Sequence, residues 1–102
     1  MNSENPKGVY VIAQISITDP NAYNRYQAAF MDVFRQFSGR LLAADVNPQV
    51  IEGDWNREKV ILMYFPSESA FREWAFSPEY QEIAKDRQAG SDAVVLLVKG
   101  ID

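Results

Sequence analysis

The side chains best suited to recognising a small molecule each end in a polar group on an otherwise apolar stem: Arg40, Trp74, Tyr80 and Arg87. A guanidinium can clamp a carboxylate through two parallel hydrogen bonds, and Trp and Tyr combine an apolar ring with one polar atom. Because the Ser-Pro pair at 77–78 restarts a helix between the two aromatic residues, both rings can reach one spot from two helices. The sequence predicts a ligand cleft there, with both Arg near its mouth to hold a small organic anion.

Each of these residues also has an ordinary structural alternative. Arg40 follows a glycine at the start of a predicted strand, where a surface ion pair is common. Arg87 is placed to pair with Glu82 or Asp86 on the same helix. Trp and Tyr are most often part of a core. The sequence leaves both the ligand role and the structural role open.

Glu52 and Tyr64 complete the predicted ligand-binding set. Glu52 precedes Gly53 at the end of a predicted edge strand, where a carboxylate can act as a base only if it is partly buried. Tyr64 lies on a central strand and faces either the helices or the other side of the sheet. A solvated turn acid and a core tyrosine are the alternatives, and no residue is assigned a catalytic role.

Composition excludes several classes of site. The chain has no His and no Cys, so thiol nucleophiles, thiolate metal sites, histidine-based triads and haem held by a proximal His are all excluded. No phosphate-binding loop or metal-ligand spacing is present, and we expect neither metal nor cofactor. The net charge is −4 and the ten Lys and Arg form no basic run, which argues against nucleic acid as a partner.

Composition also bears on location and domain organisation. The N-terminal residues lack an apolar segment of signal-peptide length, and no run approaches the ~20 apolar residues that span a bilayer. We expect a cytoplasmic protein without a membrane partner. Residues 1–7 are predicted to be a flexible tail, and residues 8–102 a single domain.

The first half of the chain shows a strand, a helix and a second strand. Residues 9–17, VYVIAQISI, are apolar at nearly every position, which is typical of a strand buried on both faces. Asp19 is placed to cap a helix with Pro20 at its first position, and apolar residues recur every three or four positions up to Gly39, which we expect to end the helix. Residues 40–53, RLLAADVNPQVIEG, are predicted to form an edge strand interrupted near its proline, which cannot donate to a ladder.

The second half of the chain repeats the order of strand, helix and strand, but its helical part consists of two successive helices. After the turn GDWNRE, residues 59–65, KVILMYF, form a strongly apolar strand. Ser67 is predicted to cap a short helix, and the Ser-Pro pair at 77–78 starts another that runs to Gly90. Residues 93–100, AVVLLVKG, form the last strand.

The resulting order, βαββαβ, most simply gives a four-stranded antiparallel sheet with the helices on one face, the ferredoxin-like α+β fold. Three of the strands are apolar at both alternating sets of positions, although the helices cover only one face. The chain has no residues left for a third layer. A homodimer packed sheet to sheet would cover the other face.

The motifs that point to a known family extend over most of the chain: Asp19-Pro20-x-x-Tyr23-x-x-Tyr26, Gly39-Arg40, Glu52-Gly53, Phe65-Pro66-Ser67, Trp74, Ser77-Pro78-Glu79-Tyr80, Arg87 and Val98-Lys99-Gly100. Together they resemble a bacterial family of short proteins known only as a domain of unknown function, numbered thirteen-thirty. Many members carry Gly-Gly where this chain has Ser38-Gly39, and residues 1–7 are an extra tail.

The resemblance implies the dimeric α+β barrel superfamily. Its other members include cofactor-free monooxygenases, muconolactone isomerases and haem-dependent chlorite dismutases, and no activity is settled for this family. The first hypothesis is therefore a dimer that binds a small organic anion or aromatic molecule in a cleft between helices and sheet. A cofactor-free monooxygenase-like or isomerase-like enzyme, and a purely structural or interaction dimer, are the alternatives.

Overall fold

The structure, a computed structural model, describes residues 8–101 of the 102-residue chain. The predicted tail of residues 1–7 lies outside the described residues, as does the last residue of the predicted domain. The elements within the described residues are β1 (Val9–Ile17), α1 (Pro20–Phe34), β2 (Arg40–Asp45), β3 (Lys59–Phe65), α2 (Glu68–Ala75), α3 (Pro78–Gly90) and β4 (Ser91–Lys99).

The strands form one four-stranded sheet in the order β2-β3-β1-β4, with antiparallel neighbours throughout. This confirms the predicted ferredoxin-like α+β fold. Val11 on β1 pairs with Met63 on β3 and with Leu97 on β4, so these three residues share one face. A register shift between Leu41 and Ala43 marks a bulge in the edge strand β2.

The two faces of the sheet differ in burial. The odd-numbered residues of β1, Val9 to Ile15, are buried beneath the helices, as the period of two requires for a covered face. The opposite face, which we call the open face, carries Ile12, Leu62 and Leu96 in register. Leu96 is 44% exposed there, although its side chain is as apolar as those of the core.

The three predicted helix starts are confirmed. The Asp19 carboxylate accepts a hydrogen bond from the Asn21 amide at 3.1 Å, with Pro20 at the first helical position. The Ser67 hydroxyl accepts from the Ala70 amide at 3.1 Å, and the Ser77 hydroxyl from the Tyr80 amide at 3.1 Å. Each cap satisfies an amide that the first turn of a helix leaves without a backbone partner.

Two predicted boundaries are wrong. Helix α1 ends at Phe34, five residues before Gly39, because the chain tightens into turns in which the Phe37 amide bonds the Phe34 carbonyl at 3.1 Å. Gly39 has a packing role instead, since a Cβ there would clash with the Phe65 ring.

The predicted strand over residues 40–53 ends at Asp45. The Asp45 carboxylate accepts from the Asn47 amide at 2.9 Å and turns the backbone away from β3, and Pro48 then offers no amide to resume pairing. Residues 46–58 form a connection without strand or helix. Its end is held to β1, because the Trp55 indole donates to the Gln14 side chain at 3.0 Å.

Candidate functional site

A cavity of about 300 Å³ lies between the helices and the covered face of the sheet. Its sheet side consists of small and aliphatic residues such as Val11, Ala13 and Ile61, and its helix side is largely aromatic. Apolar walls with a few polar groups are typical of small-molecule sites. The polar or amphipathic side chains that line it are Tyr23, Tyr26, Gln27, Lys59, Trp74, Tyr80 and Arg87.

Trp74 and Tyr80 meet across the bend between α2 and α3. Their ring centroids are 4.2 Å apart, and both residues are buried. Ser77 sets this geometry, because its hydroxyl donates to the Trp74 carbonyl at 2.8 Å while it accepts from the Tyr80 amide. A single buried hydroxyl thus fixes the end of one helix and the start of the next, and brings both rings to one wall of the cavity.

The Trp74 indole N–H is the clearest unsatisfied group at this wall. Trp74 is 3% exposed, and its Nε1 has no hydrogen-bond acceptor within the described part of the chain. Burying an N–H without an acceptor costs free energy that a partner would recover. An acceptor atom on a bound molecule would supply that partner.

Two phenols form a buried pair beside Trp74. The Tyr26 and Tyr80 hydroxyl oxygens are 2.9 Å apart, and either can be the donor. Burial raises the pKa of Tyr26 far above its ordinary value, and the neighbouring Tyr80 raises it further. Burial also raises the pKa of Tyr23, an effect that the positive charge of Arg87 opposes. The Tyr23 and Tyr26 hydroxyls therefore stay protonated at neutral pH and can donate hydrogen bonds.

Arg87 lines the cavity from the last turn of α3. The carboxylates considered as its partners are taken by other residues: Asp86 pairs with Arg25 at 3.1 Å, and Glu82 with Lys85 at 3.1 Å. No ion pair within residues 8–101 involves Arg87. Within these residues Arg87 therefore forms neither of the two ion pairs, with Glu82 or with Asp86, that were its structural alternative.

Lys59 was not among the predicted site residues, yet it is a second cation of the cavity. It is 5% exposed, and its Nζ lies 4.8 Å from the centroid of the Tyr23 ring. Burial lowers the pKa of the Lys59 amine. The sequence did contain a signal, because a period of two puts Lys59 on the same strand face as Ile61 and Met63.

The remaining predicted residues lie away from this cavity. Arg40 and Tyr64 are register partners on the open face, where the Arg40 Cζ is 5.0 Å from the Tyr64 ring centroid. Glu52 is exposed in the connection between β2 and β3. The expected approach of Arg40 to Arg87 is therefore absent within one chain, because strand alternation points residue 40 away from the helices. Ligand binding by any of the six predicted residues stays a prediction.

The family model described as "Domain of unknown function (DUF1330)" matches residues 8–101 of the chain. No curated protein matches the sequence. Among residues 8–101, no helix combines the length and the apolar character that crossing a membrane requires.

Solved structures with the same fold are numerous at low sequence identity. A protein of unknown function from Rhodopseudomonas palustris is 21% identical with a TM-score of 0.80, over 95% of this chain and 85% of that chain. The cofactor-independent oxygenase SnoaB from Streptomyces nogalater is 16% identical with a TM-score of 0.68, over 94% of this chain and 95% of that one. A protein from Bacteroides fragilis, described as dimeric and ferredoxin-like with unknown function, is 13% identical with a TM-score of 0.67, over 91% and 96% of the two chains.

Proposed function

Because the chain belongs to the DUF1330 family, whose description states no activity, we propose a function from the cavity: it binds a small organic anion with an aromatic or other apolar body. The observation that carries the proposal is the presence of two cations, Lys59 and Arg87, in a mostly apolar cavity without a carboxylate partner in the described chain.

The charges support an anionic ligand. A cation held away from water is unfavourable unless an opposite charge compensates it. Within the described residues the compensation for Lys59 is the face of the Tyr23 ring, which attracts a cation more weakly than a carboxylate does. A bound carboxylate would satisfy Lys59 or Arg87, and would accept hydrogen bonds from the tyrosine hydroxyls.

The walls support an apolar body attached to that charge. Trp74, Phe30 and Phe71 line the helix side, and the sheet side is aliphatic. A ring placed between these walls removes apolar surface from water, worth about 25 cal/mol per Å². A benzoate-like molecule combines both requirements in a volume that the cavity can hold.

A cofactor-free enzyme is the second candidate. The Tyr26–Tyr80 pair favours it, because two hydrogen-bonded hydroxyls inside a ligand cavity can move a proton between protein and ligand. The fold shared with an oxygenase that needs no cofactor is compatible with this candidate. A monooxygenase-like or isomerase-like reaction would be its form.

We also propose that the chain forms a homodimer through its open face. Apolar side chains such as Val94 and Leu96 are 40% and 44% exposed there, and structures of the same fold are described as dimeric. In such a dimer Arg40 and Tyr64 would lie between the two sheets and could contact a ligand or the partner chain. Sedimentation at micromolar concentration would contradict the dimer if it gave a stable monomer. A cytoplasmic location stays a prediction.

The ligand proposal is tested by measuring the melting temperature with increasing 4-methylbenzoate, and with the uncharged 4-methylbenzamide as the matched ligand. We expect the anion to stabilise the protein and the amide to do so much less. Arg87→Gln should weaken binding of the anion by about tenfold, equivalent to about 1.4 kcal/mol. Arg35→Gln, which changes an exposed residue of the turn after α1, serves as the control and should bind like the parent.

Arg40→Gln distinguishes a ligand bound in the cavity from a ligand bound between the two sheets of a dimer. A loss of binding in this variant would assign the ligand to the space between two sheets, whereas unchanged binding would restrict it to the cavity. If the parent is not stabilised by 4-methylbenzoate or by related carboxylates, the structural dimer becomes the better description.

A further inference from the structure

Lys59 differs from an ordinary strand lysine in where its amine lies. It is the first residue of β3 and pairs with Ile15 on the covered face of the sheet. Its side chain is therefore directed beneath the helices, where it lines the cavity and is almost fully buried. Lys85, by contrast, is exposed on α3 and pairs with Glu82 at 3.1 Å.

The described residues offer Lys59 no ion-pair partner of the kind that normally keeps a lysine charged. No ion pair among residues 8–101 includes it, and the contact of its Nζ is the Tyr23 ring face at 4.8 Å. Burial also lowers the pKa of the amine, which increases the free-amine fraction near neutral pH. A free amine in a mostly apolar cavity is a nucleophile, and apolar burial is one way in which proteins activate a lysine.

We propose that the Lys59 amine forms an imine with the carbonyl carbon of a small aldehyde or ketone bound in the cavity, a reaction that depends on the proposed ligand site. The amine nitrogen attacks the carbonyl carbon and the C–N bond forms; the carbonyl oxygen gains a proton and the nitrogen loses one. The oxygen then leaves as water with a second proton from the nitrogen, which breaks the C–O bond and leaves the C=N double bond. The balance is one carbonyl compound and one amine to one imine and one water, with no oxidant or cofactor.

Other groups of the cavity suit this reaction. The hydroxyl pair of Tyr26 and Tyr80 lines the same cavity and can donate the proton that the carbonyl oxygen needs. Arg87 can hold a carboxylate on the same molecule. The substrate class is therefore a carbonyl compound that also carries a carboxylate, with an apolar or aromatic body between the two groups.

The test uses 4-carboxybenzaldehyde as the probe, with sodium cyanoborohydride to reduce the imine to a stable amine. The full-length protein is treated at pH 7, and the modified lysine is located by peptide mass mapping. We expect Lys59 to gain the mass of the aldehyde less one oxygen atom, at least about tenfold faster than Lys85 or Lys99. The N-terminal amine reacts at its own rate and is distinguished by the map.

Two variants separate imine formation from simple charge attraction. Lys59→Arg keeps the positive charge but lacks the nucleophilic amine, so the fast labelling should disappear while Lys85 and Lys99 react as they do in the parent. Lys59→Met should lose the fast labelling as well, and it serves as the second test if the larger arginine side chain prevents folding. Lys85→Arg is the control and should leave labelling of Lys59 unchanged.

Failure of the imine and failure of the ligand site give different results. If 4-methylbenzoate binds but Lys59 reacts no faster than Lys85, the imine proposal is wrong while the anion site stands. If Lys59 reacts selectively although 4-methylbenzoate does not bind, the imine is supported and the preference for an anion is wrong. If neither is observed, both proposals are overturned.

Discussion

Two neighbouring groups of aromatic residues under the same helices are built differently. The first, which we call the phenylalanine cluster, consists of Phe34, Phe65 and Trp74, with ring centroids 5.4 to 5.9 Å apart. The second, the phenol cluster, consists of Tyr23, Tyr26 and Tyr80. Its rings carry hydroxyls, and all three residues line the cavity, whereas Phe34 and Phe65 do not. Trp74, a member of the phenylalanine cluster, also contacts Tyr80 of the phenol cluster and lines the cavity.

The phenylalanine cluster is closely packed and stabilises the fold. The phenol cluster has unfilled volume and, among the described residues, unpaired polar groups beside it, so it contributes less to stability than close packing would allow. Rings in the phenylalanine cluster contact one another edge to face or stacked, an arrangement that adds to the free energy of burial. The phenol cluster borders unfilled volume, a buried lysine and the Trp74 indole N–H, which has no acceptor within residues 8–101. Departures from the best packing and from full polar pairing are concentrated where proteins bind or react with ligands.

The largest expected effect compares two phenylalanines on the same helix. Phe34→Ala should lower the free energy of unfolding by about 3–5 kcal/mol, because the ring is buried among other rings and leaves a cavity. Phe30→Ala should cost clearly less, because Phe30 is only partly buried and already borders the unfilled volume. Urea unfolding of both variants, with unchanged dependence on denaturant concentration, measures the difference. Equal losses would show that the two regions are packed alike.

A smaller effect uses the two serine caps. Ser77→Ala and Ser67→Ala each remove a hydroxyl that accepts an amide at the start of a helix, and each should cost about 1 kcal/mol. Only Ser77 also donates to the Trp74 carbonyl, and so fixes the position of Tyr80 against Trp74. We therefore expect Ser77→Ala to weaken binding of 4-methylbenzoate and Ser67→Ala to leave it unchanged. Equal binding of 4-methylbenzoate in the two variants would show that the bend at Ser77 does not position the ligand site.

The sequence predicted the elements of this fold better than it predicted the cavity. Helix starts at Asp19, Ser67 and Ser77 depend on local hydrogen bonds between residues two or three positions apart, so local patterns are sufficient. The convergence of Trp74 and Tyr80 also followed from a local feature, the Ser-Pro bend. The end of β2 was missed because Asp45 stops the strand through its side chain, within a stretch whose composition still resembled a strand.

Cavity residues on different elements were harder to predict. The face on which Arg40 lies depends on the register of β2 with β3, and one sequence does not fix that register. Tyr23 and Tyr26 lie on the apolar stripe of α1, but the spacing of that stripe does not reveal whether it meets side chains or empty space. Lys59 was overlooked because a lysine at the start of a strand is ordinarily solvated.

The smallest expected effect concerns the alkaline stability of the phenol cluster. Tyr26→Phe removes one hydroxyl from the pair with Tyr80 and should cost about 1 kcal/mol at pH 7. Because the folded-state pKa of Tyr26 is raised above the ordinary value of 10.0, the folded protein keeps a proton that the unfolded chain releases above that pH. The contribution of Tyr26 is therefore fully present below pH 10 and is lost as the pH rises further, by about 1.4 kcal/mol per pH unit for one proton. Lys59 acts with the opposite sign, since its lowered pKa makes the folded state more favourable as the pH approaches 10.5.

Urea unfolding between pH 7 and pH 11 tests this expectation. The parent and Tyr26→Phe should differ by a constant amount from pH 7 to about pH 9, and the difference should shrink above pH 10, because only the parent has this proton to lose. Phe34→Ala, which removes no titrating group, should differ from the parent by the same amount across the whole range. If Tyr26→Phe runs parallel to the parent above pH 10, the Tyr26 hydroxyl ionises as freely in the folded protein as in the unfolded chain. The phenol cluster would then be accessible to water, and the contrast with the phenylalanine cluster would be one of residue type alone.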